Sequence, residues 1–283
     1  MPEKTHSSYL EDLVRQHDRD RYTIAMFASP VIRSDVMTLL AFNVEIARIR
    51  ETVSEPLIGQ MRLQWWRDVI EKLADGQGPP LGHPVAEAVA ALIQARTLDT
   101  RVFGGLVDAR EADMSDDPCQ TLDELIMYCS GTAGDLHRLM VSLVEDCREA
   151  DTHAAHAVGV AWALIGILRA TPLLAAVNRT RLPQDLLNTE GLSVQDLQKP
   201  ETANGVRPIA EAISRAASGF LAEARAQKAG VSRQSRSLLL HAIQAERYLS
   251  ALQRASYDLY HPAFAQARPS IIPLWWNAWR QSY

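Results

Sequence analysis

The sequence predicts an all-α fold in a single domain spanning residues 1–283. Three observations predict it. The dominant spacing of apolar residues is three and four, the period of a helix face. No run alternates apolar with polar residues over the length of a strand. No repeat, low-complexity tail or linker divides the chain, and 47% hydrophobic content over 283 residues supports one sizeable core.

The elements follow in order. Val36, Leu39, Leu40, Val44 and Ala47 interleave with Phe42, Ile46, Ile49 and Val53, so this helix is apolar on both sides and lies deep in the fold. Ser34-Asp35 supplies its start. Pro56 opens a second helix, carrying Leu57, Ile58, Met61, Trp65, Val69, Ile70 and Leu73, and Gly76 ends it. The glycine- and proline-rich residues 76–82 form a loop. Helices are then expected over residues 84–97 and 99–111. An acidic turn covers residues 113–120, and Thr121 with Glu124 has capping-box spacing for the next helix. That helix runs to residue 145, interrupted at Gly131-Thr132-Ala133-Gly134. The longest apolar segment, residues 154–177, reads as a buried helix broken or kinked near Pro172. Residues 182–204 read as a loop with a short helix. Further helices are expected over 205–229, 232–258 and 270–281.

Composition excludes several classes. The net charge is −5 with the signs interspersed, which argues against nucleic acid as a partner. Cys119, Cys129 and Cys147 are odd in number and form no CxxC pair, so they read as reduced thiols rather than a zinc site or disulfide framework. The opening Met1-Pro2-Glu3-Lys4-Thr5-His6 has no basic region leading into an apolar one, so a secretory leader is not expected. It is not rich in Arg and Ser either, which favours a bacterial cytoplasmic protein. No stretch approaches the roughly 18 uninterrupted apolar residues of a membrane span. Any membrane contact is therefore expected to be peripheral, at the inner membrane.

Five pieces fall in order between Arg21 and Pro183. They are Arg21-Tyr22 with Pro30 and Arg33; Ala41-Phe42; Arg62-Leu63-Gln64-Trp65-Trp66-Arg67; Tyr128-Cys129-Ser130-Gly131-Thr132-Ala133-Gly134; and Gly166-Ile167-Leu168-Arg169 with Arg181-Leu182-Pro183. Together they resemble the squalene/phytoene synthase family. The resemblance implies the all-α isoprenoid-synthase fold. It also implies the head-to-head joining of two farnesyl or geranylgeranyl diphosphates, with Mg²⁺ held by aspartates on two facing helices.

Those aspartates are where the chain departs from the family. The first acidic motif falls on Ala47, Arg48 and Glu51, and the second on Ala170 and Leu174. Only Glu51 remains an acid. A carboxylate about 4 Å from a unit charge is worth roughly 4 kcal/mol at an effective dielectric near 20, so the loss of several is not offset by one. No Mg²⁺ or other cofactor is therefore expected, nor a metal or catalytic residue. One branch of the family lacks these acids: a mitochondrial complex I assembly factor with its bacterial relatives. The run Phe42-Asn43-Val44-Glu45-Ile46-Ala47-Arg48, followed by Glu51-Thr52-Val53-Ser54-Glu55-Pro56, is similar to that branch. The resemblance implies a non-catalytic protein whose partners are complex I subunits or assembly factors. Two alternatives stay open. One is a binder of prenyl diphosphate or phospholipid. The other is a head-to-head transferase using displaced acids, Glu45, Glu51 and Glu55.

The candidate ligand-binding residues are Arg48, Glu51, Arg62, Trp66, Tyr128, Asp135, Arg169 and Arg181. Guanidinium groups bind phosphate bidentately without a metal. With Arg50, Arg67 and Arg179, these arginines would converge on the old diphosphate cavity. The blander expectation pairs each with a local acid among Glu45, Glu51, Glu55, Asp68 and Glu71. Trp65-Trp66 would pack in the core or line a tunnel, with Arg62 stacked on Trp66 one turn away. Gly131, Ala133 and Gly134 read as a close helix contact. His153 and His156 read as a solvated or satisfied pair. Trp275, Trp276 and Trp279 would meet a membrane interface, a partner or the domain's own core.

Overall fold

A computed structural model describes residues 6–283, and the reading of the first five residues lies outside them. Fourteen α-helices are present among the described residues, with no strand. They are α1 (His6–His17), α2 (Arg19–Ala25), α3 (Arg33–Ala47), α4 (Pro56–Ala74), α5 (Pro84–Arg96), α6 (Thr100–Ala109), α7 (Leu122–Cys129) and α8 (Asp135–Val141). After these come α9 (Glu149–Ala176), α10 (Gln184–Thr189), α11 (Ala203–Ala226), α12 (His241–Arg254), α13 (Pro262–Ala265) and α14 (Ile271–Trp279).

Helix α9 is the axis of the fold. Its buried residues, among them Ala155, Val158, Gly159, Val160, Leu164 and Ile167, point in all directions, so it needs neighbours all round. It has them in α8, α11 and α12. It has the length and hydropathy to cross a bilayer, yet most of that span is covered by the protein itself. The helix continues through Pro172 to Ala176 rather than breaking there. The chain ahead of residue 172 is already helical, and α9 is held from several sides.

On its other side α9 meets a single π-helical turn, Ser130–Gly134, that joins α7 to α8. The backbones touch there. A Cβ on Gly159 would lie 2.3 Å from the Ala133 carbonyl oxygen, and one on Gly134 would lie 2.7 Å from the His156 ring. The small residues at 131–134 thus serve close approach. His156 is satisfied by the Ser130 hydroxyl at 2.6 Å.

Several boundaries differ from the sequence reading. Helices α1 and α2 were not anticipated. Helix α3 starts at Arg33 and stops at Ala47, where Arg48 caps it and turns the chain through Glu51 and Thr52. Ile49 and Val53 stay buried, but on that turn. Residues 232–240 do not continue a helix into α12. Ser232 and Ser235 hydrogen-bond each other at 2.9 Å, and the buried Asp151 carboxylate accepts from the Ser232 amide at 2.8 Å. Such local side-chain bonds compete with the helix ladder. The Asp151 carboxylate also accepts from the Arg148 amide, which caps α9.

Candidate functional site

A cavity of about 580 Å³ opens between α1, α3, the π-turn and α9. Ala47, Arg48 and Glu51 line one wall, and Ala170 and Leu174 line another. All five positions that carry metal-binding acids in the family therefore face one space. Among the described residues, no group of three or more His, Cys, Asp or Glu side chains is placed to hold a metal. The donor set does not fit Mg²⁺, which takes hard oxygen ligands. Glu51 is the one carboxylate kept, and it lies 3.4 Å from the Arg48 guanidinium.

Six arginines line the cavity: Arg21, Arg48, Arg50, Arg110, Arg179 and Arg181. Each meets an acid. Arg21 bridges to Asp18 at 2.7 Å. Arg50 and Arg179 share Asp116, at 2.8 and 2.9 Å. Arg110 and Arg181 converge on the buried Asp113, at 3.4 and 2.6 Å. The Tyr128 hydroxyl donates to Asp113 Oδ1 at 2.8 Å and accepts from Arg110 at 3.0 Å. Burial pushes the Tyr128 phenol pKa up, with Arg110 pulling the other way, so the hydroxyl stays protonated. Six cations meet four carboxylates, and the wall stays net positive. Burial, with Arg50 beside it, lowers the Arg179 pKa.

The expected local pairing is right only for Arg48. Asp113 and Asp116 come from the acidic turn, far in sequence from Arg50, Arg179 and Arg181, while Arg110 is three residues ahead of Asp113. Asp113 owes its role to the 3₁₀ turn Arg110–Met114, which carries it under Tyr128 of α7, and Asp116 follows just beyond that turn. Asp18 sits at the start of α2 and also caps it, accepting from the Arg21 amide. Sequence reasoning placed Asp113 and Asp116 in the acidic turn but assigned none of these three acids to the site. The density of charge between residues 108 and 117 was the signal available.

Seven of the eight candidate residues line one or more of three cavities. Arg48, Glu51, Tyr128 and Arg181 line the main one. Arg62 and Trp66 line a second, of about 340 Å³, behind α3, with Trp65, Glu45 and His83. Arg62 donates to the Thr52 hydroxyl at 2.8 Å instead of stacking on Trp66. The Trp66 ring stands edge-on to Phe42 at 5.0 Å and is buried. Arg67 lies outside and bridges to Asp108 and Glu111. Arg169 lines a third cavity of about 290 Å³. It bridges to Asp20 at 3.0 Å and sits 4.0 Å over the Tyr248 ring, tying α9 to α2 and α12. Asp135 bridges to Arg138 on its own helix and lines none of these cavities. Of the displaced acids, Glu45 faces His83 at 3.4 Å in the second cavity, and Glu55 is the exposed residue preceding α4. Only Glu51 reaches the main space.

The squalene/phytoene synthase profile matches residues 14–275. The chain belongs to the squalene/phytoene synthase family. It is 29% identical over 277 residues to a human protein named NADH dehydrogenase (ubiquinone) complex I, assembly factor 6, covering 97% of this chain and 82% of that one. It is 28% identical over 207 residues to the chloroplastic phytoene synthase of Daucus carota, covering 69% of this chain and 50% of that one. The crystal structure of a squalene synthase from Alicyclobacillus acidocaldarius superposes with a TM-score of 0.77 at 18% identity, over 89% of this chain and 95% of that one. That likeness establishes the all-α isoprenoid-synthase fold.

Proposed function

We propose that this protein is a non-catalytic member of the squalene/phytoene synthase family that acts in assembly of respiratory complex I. One observation carries the non-catalytic half. The cavity that would hold the metal ions presents Ala47, Arg48, Ala170 and Leu174 where four of five carboxylates are needed. Ionising an allylic diphosphate places negative charge on the leaving group, and nothing here gathers the ions that would neutralise it. The assembly half rests on the human assembly factor, which matches almost the whole chain, whereas the plant phytoene synthase matches about two thirds of it.

Two experiments test the halves separately. Incubation with farnesyl or geranylgeranyl diphosphate and Mg²⁺ is expected to release no diphosphate; release would overturn the first half. Deletion of the gene is expected to lower assembled complex I; normal levels would overturn the second.

The positive wall supports a second role for the same cavity. A prenyl diphosphate or phospholipid headgroup would exchange its hydration for guanidinium contacts with no metal required. Thermal stabilisation by inorganic diphosphate in the presence of a chelator tests this, since a ligand that binds the native state raises its melting temperature.

A further inference from the structure

Helix α14 carries five large apolar side chains outward. Ile272 is 78% exposed, Trp279 67%, Ile271 63%, Trp275 57% and Trp276 47%. Ile271, Trp275 and Trp279 follow one another every four residues, and Ile272 and Trp276 run beside them, so the five form one face. The helix is not a loose end that happens to be uncovered. Leu274 on its opposite side is fully buried. Beyond the helix, Tyr283 is buried and donates its hydroxyl to the Ala224 carbonyl at 3.0 Å, while Arg236 donates to the Gln281 carbonyl at 3.0 Å. The fold holds α14 in place with its aromatic side facing out.

The surroundings select the partner. No acidic residue occurs from Leu259 to Tyr283 in a chain whose net charge is −5. On the flank of α14 that carries Pro273 and Asn277, next to Trp276, a groove of about 870 Å³ is lined by Arg247, Arg254 and Arg268. All three arginines are exposed, and none has an acidic partner among the described ion pairs. The groove's one acid, Glu246, is taken by Arg225 at 2.7 Å. Arg280 sits 5.8 Å over the Trp276 ring at the end of the same face. Tryptophan rings favour the headgroup level of a bilayer, where an apolar body and a polar N–H are both accommodated. Unpaired arginines next to such a belt meet anionic headgroups.

We propose that α14 is an interfacial membrane-docking helix, with its isoleucine–tryptophan face in the headgroup region of an anionic bilayer and lipid phosphates in the Arg247–Arg254–Arg268 groove. The docked protein lies on the bilayer, with α9 still enclosed in the domain. The inference does not depend on the assembly role, since it rests on a different surface.

The full chain is mixed with phosphatidylcholine vesicles, with or without about a third phosphatidylglycerol. Flotation reads binding, and tryptophan emission reads insertion. Wild-type protein is expected to float with the anionic vesicles and shift its emission to the blue. Combined Trp275→Ser, Trp276→Ser and Trp279→Ser substitution is expected to cut partitioning at least ~10-fold. Arg247→Gln, Arg254→Gln and Arg268→Gln together are expected to remove the preference for anionic vesicles. All six positions are exposed, and circular dichroism checks that both variants keep the native helix content. Wild-type protein that stays in solution with either vesicle overturns the proposal, as it would if α14 instead docked on a protein. Unchanged partitioning of the tryptophan variant also overturns it, and a tryptophan variant that loses helix content is replaced by Trp275→Ser alone, judged by the same criterion.

Discussion

Two glycines on α9 test the central packing against each other. Gly159 and Gly166 lie seven residues apart in the same helix. On Gly166 an added Cβ meets nothing within 4 Å. Gly166→Ala should then show only the helix-propensity gain, up to about 1 kcal/mol. On Gly159 the same atom lies 2.3 Å from the Ala133 oxygen, 2.8 Å from its carbonyl carbon and 2.8 Å from Gly134 Cα. Those are backbone atoms of the π-turn and cannot rotate aside. Restoring van der Waals distance would part the two segments by about 1 Å. Helix α9 is held by α8, α11 and α12, so it cannot move alone. Overpacking of this kind costs about 1–3 kcal/mol, and a rigid partner favours the upper end. After the propensity gain, Gly159→Ala should lose roughly 2 kcal/mol, which separates the two variants by about 3 kcal/mol. Urea unfolding at constant slope measures this directly, and at ~2 °C per kcal/mol the melting temperatures should differ by ~6 °C. A Gly159→Ala protein as stable as wild type would refute the close approach of α9 to the π-turn.

Asp113→Ala should cost about 3–5 kcal/mol in urea unfolding, because it strands Arg110 and Arg181 without their shared carboxylate. The buried His137 and His241 rings, 4.5 Å apart, should make the protein acid-sensitive. Burial lowers both pKa values, helped by His241 for His137 and by Arg21 for each, and takes His241 from 6.5 to about 3. Below pH 6.5 the unfolded chain binds these protons and the folded chain does not. Stability should therefore be full above pH 6.5 and fall as the pH drops toward 3, by up to about 1.4 kcal/mol per pH unit for His241, with His137 acting in the same direction. His241→Leu should reduce that slope between pH 6.5 and 5 in parallel urea titrations. Tyr248→Phe should cost about 1–2 kcal/mol, since it removes the 2.6 Å hydrogen bond to Asp20 beside Arg169.

The fold was legible wherever the helical period was strong and the stops were chemical. Pro56, Pro84 and the glycine-rich loop at 76–82 mark boundaries that the structure keeps. The N-terminal helices escaped because they are short and mostly polar. Leu10, Leu13 and Val14 give the helical spacing, but over little more than one turn. The region after Ser232 escaped because a carboxylate from residue 151, remote in sequence, competes for its backbone. For the cavity, the five motif positions, four of them without their acid, were legible and lie together. Their compensation was not. Pairing by helical spacing finds Arg48 with Glu51 and Arg110 with Asp113, whereas Arg50, Arg179 and Arg181 find acids on a turn that only the tertiary fold delivers.

That compensation explains how a catalytic scaffold can lose its metal ligands and stay folded. Exchanging carboxylates for Ala47, Arg48, Ala170 and Leu174 makes the cavity wall more positive, and a half-buried guanidinium without a counter-ion is costly. Asp113 and Asp116 take up four of the six arginines, with Tyr128 fixing the Asp113 carboxylate in place. The charge that an exogenous metal–diphosphate complex would otherwise balance is largely balanced from within. A cavity whose arginines are each paired in this way has little need of substrate to be stable, even with a net positive wall. The site can then stay open and ordered with no ligand bound in it.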